Sequence, residues 1–169
     1  MSYLLELGHK RIGFVYGVVI SSQGFDRLEA YRHSLEATGI SYDESLVYQC
    51  GPLMEDGYQA TRSLLTQPHR PTALIAINDL LGIAAIRAAT DLGLSVPGDV
   101  SVASFDNIPF SSFTVPRLTS VSGNPEQNGR DAVRLLLKRL HDPRRPREFI
   151  AGDWQLHIRE STGIAPTHT

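Results

Sequence analysis

The sequence predicts an α/β protein, a doubly wound parallel sheet with helices on both faces. Short apolar segments alternate with amphipathic segments of about ten to fifteen residues, which is the pattern of strand–helix–strand units joined by right-handed crossovers. The segments 12–16 and 73–77 are almost continuously apolar, as strands buried on both faces of a sheet are expected to be. With 169 residues, 41% of them hydrophobic, the chain can bury a core around such a sheet.

The predicted strands are short apolar runs bounded by glycine, proline or polar residues. They lie at 12–16, 46–49, 72–77, 100–104, 118–121 and 148–156. The first strand follows residues 3–8, which resemble the last turns of a helix closed by Gly8, so the chain is expected to begin within an element. A Ser/Phe/Pro loop that ends at Pro116 separates the fourth and fifth strands, and the last strand carries the single tryptophan, Trp154.

The predicted helices have apolar residues at helical spacing and end at residues that stop helices. They lie at 25–38, 55–66, 80–92 and 126–140. Gly39 and Gly93 follow the first and third helices, and Pro68 stops the second because proline cannot continue a helix. Asn124 is the expected N-cap of the fourth helix, with Pro125 as its first residue and a glutamate next.

The charge of the chain argues against an extended nucleic-acid surface. The formal net charge is −2 at pH 7, and phosphate binding requires clustered lysine and arginine. The one basic cluster, Arg144, Arg145 and Arg147, lies beside prolines, and we interpret it as a solvated turn, with a phosphate contact as the alternative. The single cysteine, Cys50, cannot form an internal disulfide and lies in no metal motif. We expect no metal and no cofactor.

The apolar run 12–20, preceded by two basic residues, resembles the core of a secretory signal. A glutamate at position 6, Gly13 and Gly17 within the run, and the lack of a small-x-small cleavage site favour a buried strand instead. No run approaches the ~20 apolar residues that a bilayer requires. Together with the lone cysteine, this predicts a cytoplasmic protein.

The most informative segment is 71–106, in which two apolar strands flank a helix and each strand ends in carboxylate or amide side chains. A parallel sheet places Asn78, Asp79 and Asp106 at neighbouring strand ends, where open α/β sheets bind small polar ligands. Asn78 offers a donor and an acceptor, and Asp106 can accept two hydroxyl hydrogens. Asp106 could alternatively cap its own loop. Asp79 directly precedes the apolar helix and is expected to be its N-cap.

Six motifs occur in a fixed order along the chain. They are LGHKRIGFVYG at 7–17, DRLEAY at 26–31, DGYQA at 56–60, the segment 70–107, PRLTSV at 116–121 and HIREST at 157–162. Each motif alone is weak, but their joint order and spacing resemble the ligand-sensing domain of LacI/GalR-type bacterial transcriptional regulators. The resemblance covers nearly the whole chain.

The resemblance implies two similar α/β lobes of the periplasmic-binding-protein-like fold with a ligand between them. Residues 1–123 correspond to the C-terminal lobe, 124–156 to a helix and strand of the N-terminal lobe, and 157–169 to a return to the C-terminal lobe. On this correspondence, the helix-turn-helix DNA-binding head and most of the N-terminal lobe lie outside the chain. We therefore expect ligand affinity of the chain alone to be weak or absent.

The resemblance also implies a ligand-binding arginine at Arg27. A guanidinium can form paired hydrogen bonds to adjacent hydroxyls or to a carboxylate, which lysine cannot copy; the alternative is an ordinary surface arginine. Ser21 and Gln23 lie in the loop at the mouth of the cleft. The predicted ligand-binding residues are therefore Arg27, Asn78, Asp106, Ser21 and Gln23.

Two positions depart from the family pattern. Where many sugar-binding members have an aromatic residue after the second strand, this chain has Pro52. Where members often have a polar ligand contact after the PRLTSV motif, this chain has Gly123. We therefore expect a different effector or a larger pocket.

A homodimer interface is expected at the start of the third predicted helix and in the loop 110–115. In related regulators the corresponding helix and loop take part in dimerisation, and both segments are more apolar than an open surface. The predicted interface residues are Leu80, Leu81, Ile83, Ala84 and Phe113. Ordinary packing against the sheet is the alternative for each of them.

These observations predict the ligand-sensing and dimerisation part of a transcriptional repressor. A small polar effector, such as a sugar, polyol or nucleobase, would bind between the lobes, and DNA contact would come through the separate head. A periplasmic sugar-binding protein of an ABC transporter is the alternative reading. An enzyme is not expected, because the sequence has no nucleophile elbow, P-loop, dinucleotide fingerprint or zinc motif.

Overall fold

Residues 1–17, 22–51 and 53–167 are described by a computed structural model, which for residues 22–25 describes the backbone alone. The helices are α1 (Ser2–Glu6), α2 (Ser22–Glu36), α3 (Met54–Leu65), α4 (Asp79–Asp91) and α5 (Pro125–His141). The strands are β1 (Ile12–Tyr16), β2 (Val47–Gln49), β3 (Ala73–Ala76), β4 (Ser101–Phe105), β5 (Thr119–Gly123) and β6 (Trp154–His157). Short 3₁₀ turns at Glu44–Leu46 and Pro109–Ser112 complete the described elements.

The strands form a six-stranded sheet in the order β2-β1-β3-β4-β5-β6. Strands β1 to β5 pair in parallel, as the alternation of strands and helices predicts. The edge strand β6 pairs antiparallel to β5, and it begins at Trp154 rather than at the predicted residue 148. The predicted α/β fold class is confirmed, with one antiparallel edge added.

Helices cover both faces of the sheet and form two apolar cores. On one face, α3 and α4 pack on side chains of the central strands such as Leu74 and Val102. On the other face, α1 and α2 pack on Phe14 and Ile75. Alternate residues of the same strands enter opposite cores, because successive strand side chains point to opposite faces. This explains why the strand segments are apolar throughout.

The C-terminal tail lies against the amino-terminal part of the sheet. Ser161 donates its hydroxyl to the carbonyl of Val102 (2.6 Å) and accepts a hydrogen bond from the N–H of Thr119 (2.8 Å). Burial lowers the pKa of His9, so its neutral ring is favoured, with Nε2–H donating to the carbonyl of Gly163 (3.0 Å). These buried bonds hold the tail in place.

Helix α5 begins as predicted but buries none of its residues. The side chain of Asn124 accepts a hydrogen bond from the N–H of Gln127 (3.0 Å), and Pro125 is the first helical residue. Its apolar side chains Val133, Leu136, Leu137 and Leu140 are all exposed. In the described part of the chain, no helix is long and apolar enough to cross a membrane.

Helices α3 and α4 approach closely at Gly57. A Cβ built on Gly57 would lie 2.6 Å from Cδ2 and 3.3 Å from Cα of Leu81. We expect Gly57→Ala to lower the free energy of unfolding by about 1–3 kcal/mol, because the fully buried side chain of Leu81 would have to move and its backbone would have to give slightly. Urea unfolding followed by circular dichroism measures the change.

The matched control is Gly129→Ala in α5, where a Cβ meets nothing within 4 Å. Alanine is the better helix former by roughly 0.5–1 kcal/mol, so this variant should be at least as stable as the parent chain. A Gly57→Ala chain as stable as the Gly129→Ala chain would contradict the close packing of α3 on α4.

Candidate functional site

The side chain of Arg27 lies at the carboxyl edge of the parallel strands. Helix α2 follows β1 there, so its first turns stand over the neighbouring strand ends. Nη1 of Arg27 donates to the carbonyl of Ile77 (2.6 Å), just beyond β3, and the guanidinium lies 4.3 Å from the ring centroid of Phe105 at the end of β4. A guanidinium carries five N–H donors, and the bond to Ile77 uses one of them.

Asp106 is the first residue after β4, and its backbone is in the left-handed region. Its φ is 103° and that of Asn107 is 53°, a conformation that Asp and Asn tolerate better than other non-glycine residues. The N–H of Asp106 donates to the carbonyl of Val121 (2.8 Å) in β5. This turn leaves Asp106 at the sheet edge, where the residue as a whole is exposed but its carboxylate is partly shielded from water.

The pKa of Asp106 lies above its ordinary value. The main cause is partial burial, which removes water from the carboxylate, and the negative charge of Asp79 raises the pKa further. The positive charge of Arg27 acts in the opposite direction. A carboxylate and a guanidinium that influence each other at the end of one sheet form a pair that can donate to and accept from a polyhydroxylated ligand.

A pocket of about 350 Å³ between α1, α2 and the sheet reaches Arg27 and Phe105, but Asp106 is not among its lining residues. A larger pocket, of about 660 Å³, lies along the exposed side of α5 and includes none of the predicted ligand-binding residues. Where the structure describes the chain, no group of three or more His, Cys, Asp or Glu side chains could hold a metal ion.

Asn78 lies at the predicted strand end, but its side chain caps α4. Its Oδ1 accepts a hydrogen bond from the N–H of Leu81 (2.9 Å). The prediction that Asp79 is the N-cap is therefore wrong, and Asn78 has that role. The cap uses one lone pair of the Asn78 oxygen, so the second lone pair and the two amide N–H donors are left for a ligand contact.

Asp79 is instead fully buried and accepts three hydrogen bonds. Ser104 and Ser120 donate their hydroxyls to Oδ1, the latter at 2.6 Å, and the N–H of Ile108 donates to Oδ2 (2.7 Å). The hydroxyl of Ser120 also accepts from the N–H of Asn107 (3.0 Å). This buried group, which we call the Asp79 cluster, joins β4, β5 and the loop after Asp106.

Arg159 holds the same loop from its other side. Nη2 donates to Oδ1 of Asn107 (2.6 Å), and Nη1 donates to the carbonyl of Leu118 (2.6 Å) and to the hydroxyl of Ser111 (3.3 Å). Arg159 was not among the predicted ligand-binding residues, although it lies in the HIREST motif. Its role depends on contacts with residues about 40 to 50 positions away in the chain. The sequence pattern around Arg159 therefore does not reveal it.

Ser21 lies outside the described residues. The prediction that Gln23 lies in a loop is wrong, because its backbone belongs to α2; its side chain lies outside the described residues. Pro52, one of the two departures from the family pattern, also lies outside them. Of the predicted ligand-binding residues, Arg27 and Asp106 lie at the same edge of the sheet, and Asn78 caps α4.

The predicted interface residues divide into two groups. Leu81 is 0% exposed and Ala84 3% exposed, so both belong to the core of this chain and offer no surface to a partner; their assignment to the interface is wrong. Leu80 is 43% exposed and Phe113 is 82% exposed. Ile83 is partly buried against the core. The helical register of α4 turns Leu81 and Ala84 inward.

The chain matches the family model of the periplasmic binding protein-like domain over residues 1–162. It is 34% identical over 164 residues to the HTH-type transcriptional repressor PurR of Escherichia coli and to that of Shigella boydii serotype 18. Each match covers 97% of this chain and 48% of the relative. The chain therefore spans about half the length of the curated relatives it matches.

Solved structures of transcriptional regulators have the same fold. The transcriptional regulator CelR–cellobiose complex is 34% identical with a TM-score of 0.87, over 94% of this chain and 49% of that chain. A putative transcriptional regulator LacI from Bacillus cereus subsp. cytotoxis is 30% identical with a TM-score of 0.90, over 95% and 57%. The resemblance read from the sequence motifs is confirmed.

Removal of the Asp106 charge should stabilise the chain at neutral pH. A raised carboxyl pKa means that the folded state holds the proton more tightly than the unfolded state, so stability is lost as pH rises above the ordinary value of 3.8. We expect Asp106→Asn to unfold at a higher temperature than the parent chain at pH 7, and at the same temperature below that value. Asparagine also tolerates the positive φ. A less stable variant at pH 7 would contradict the cause assigned to this shift.

Loss of the Asp79 carboxylate should be costlier than loss of the neighbouring cap. Asp79→Ala leaves three buried donors without their acceptor, so we expect the free energy of unfolding to fall by about 3 kcal/mol. Asn78→Ala removes one capping bond and should cost about 1 kcal/mol. Urea unfolding of both variants gives the comparison, and equal losses would argue against the Asp79 cluster.

Proposed function

The chain belongs to the family of periplasmic binding protein-like domains, and we propose that it is the effector-sensing part of a LacI-family transcriptional repressor. The observation that carries the proposal is the placement of Arg27, fixed on Ile77 and Phe105, beside Asp106 at the carboxyl edge of the sheet. This is the edge at which open α/β sheets bind small polar ligands. The proposed activity is binding, not chemistry.

The proposed effector is a small polyhydroxylated molecule. Asp106 accepts hydrogen bonds from two hydroxyls, and Arg27 donates to hydroxyl oxygens from a rigid fork. The similarity to a regulator solved with cellobiose supports a sugar as the first choice. The relatives are transcriptional repressors, which supports the regulator over a solute-binding protein of an ABC transporter.

The proposed protein works as a homodimer in the cytoplasm and contacts DNA through a helix-turn-helix head outside this chain. The exposed side chains Leu80 and Phe113, with the partly buried Ile83, remain the proposed subunit interface. Of the predicted segment 124–156, α5 and the residues up to the start of β6 are proposed to belong to a second lobe that closes over the effector, whereas β6 itself pairs with β5 of this sheet. The exposed apolar stripe of α5 supports this assignment, because a stripe of that kind packs against another element in a folded domain.

Substitution of Arg27 tests the proposed site. Millimolar binding is detectable by two-dimensional NMR, so amide shifts of the ¹⁵N-labelled chain are followed during addition of cellobiose, glucose, sorbitol or adenine. We expect a saturable shift at Asp106 and Ile77 with a sugar. In Arg27→Ala the dissociation constant should rise about tenfold or more, because a charge-assisted hydrogen bond contributes roughly 1.5–3 kcal/mol.

The matched control is Arg32→Ala. Arg32 lies on the same helix and its guanidinium also stacks on an aromatic ring, that of Tyr42 at 4.6 Å, but it is outside the proposed site. The control should bind as the parent chain does. The proposal fails if no panel member shifts the amides at Asp106 and Ile77, or if both arginine variants bind like the parent chain.

A further inference from the structure

Trp154 lies at the same edge of the sheet as the proposed effector site. It is the first residue of β6, which runs antiparallel to β5, and the register pairs it with Gly123, the last residue of β5. The start of β6 therefore coincides with the carboxyl edge of the parallel strands. Trp154 is 61% exposed, which is unusual for so large an aromatic residue.

The register also fixes the face of the sheet on which the indole stands. Trp154 lies two residues from Leu156, so both side chains are on one face. Leu156 pairs with Val121, and Val121 pairs with Phe105; these three side chains line a single pocket of about 410 Å³. Trp154 is thus on the face where Arg27 stacks on Phe105.

The distance from Trp154 to Asp106 suits a small ligand. The N–H of Asp106 donates to Val121, which places Asp106 almost level with the end of β5. One strand, β5, separates β4 from β6, so the Cα atoms of Asp106 and Trp154 are about 10 Å apart by the spacing of paired strands. A sugar that hydrogen-bonds to Asp106 can reach the indole across this gap.

Gly123 in β5 places no side chain against the indole. Paired residues of an antiparallel ladder have their Cβ atoms about 4.5–5.5 Å apart, so a side chain at position 123 would pack on the ring. A Cβ built on Gly123 would lie 3.3 Å from Nδ2 of Asn128 and 3.8 Å from Cε3 of Trp154. The glycine therefore places no side chain of its own between β5 and the ring, and the amide of Asn128 lies next to this position.

We propose that Trp154 is the stacking surface for the pyranose ring of the effector whose hydroxyls bind Arg27 and Asp106. The face of an indole carries partial negative charge, and the C–H groups on one side of a pyranose carry partial positive charge. The hydroxyls at the ring edge then point to the carboxylate and the guanidinium. Trp154 would in this way select a ring over an open-chain polyol; the inference rests on the proposed function.

The fluorescence of the chain reports on this contact directly, because Trp154 is its only tryptophan. The emission is recorded while cellobiose or methyl β-glucoside is added, with sorbitol as a polyhydroxylated probe that has no ring and adenine as a flat aromatic probe. We expect both pyranosides to shift or quench the emission with the saturation seen by NMR. Sorbitol should leave the emission unchanged.

Substitution of Trp154 tests whether the indole itself contributes to pyranoside binding or whether its emission changes without such a contact. Trp154→Ala should weaken pyranoside binding measured by NMR about threefold to tenfold, and Trp154→Phe should retain most of the affinity, because an aromatic face remains. Phe149→Ala is the control, since Phe149 is 91% exposed and outside the sheet. That variant should bind like the parent chain.

The outcomes distinguish the two proposals. If pyranosides shift the Asp106 amide but leave the indole emission and the affinity of Trp154→Ala unchanged, the role of Trp154 is overturned and the proposed function stands. If adenine alone changes the emission, the pyranose assignment is overturned. If no probe shifts the amides at Asp106 and Ile77, both proposals fall.

Discussion

The buried carboxylate of Asp79 is the constraint on which the site depends. A charge without a water shell is costly, and it is tolerated here because two serine hydroxyls and a backbone N–H donate to it. Asp79 is also the first residue of α4, where the partial positive charge of the helix terminus favours an anion. One carboxylate thereby fixes α4, β4, β5 and the loop after Asp106 relative to one another.

The left-handed turn at Asp106 and Asn107 follows from this arrangement. Ser120 donates to Asp79 and accepts from the N–H of Asn107, so the turn is held from inside the fold. Arg159 binds the side chain of Asn107 from the outer side. A turn in a sparsely populated conformation persists only when its surroundings over-determine it, and here two independent sets of hydrogen bonds do so. These bonds fix the backbone from which the side chain of Asp106 extends.

The sequence predicted the sheet because burial on both faces is a property of each strand by itself. It could not decide between Asn78 and Asp79 as the helix cap, since both residue types cap helices well. The deciding partners of Asp79 are Ser104 and Ser120, which are 25 and 41 residues away. Only part of the candidate site could be predicted, for the same reason. Arg27 and Asp106 were predicted because each follows the end of a strand, whereas the contacts of Arg159 and the antiparallel pairing of Trp154 involve residues far apart in the sequence.

The helices α4 and α5 show what apolar periodicity does and does not determine. In both, the pattern correctly marks one apolar side, and a one-residue step around α4 separates the buried Leu81 from the exposed Leu80. The pattern does not show whether another element packs on that side: α4 packs on the sheet and on α3, while α5 buries no residue.

Local interactions stabilise helix α5 only weakly. They include the Asn124 cap and ion pairs such as Arg134 with Asp131, and each contributes only tenths of a kcal/mol to about 1 kcal/mol. Most helical stability in proteins comes from the packing of an apolar face, so the exposed stripe of α5 is physically reasonable only if another element covers it, as the second lobe of the proposed sensor would.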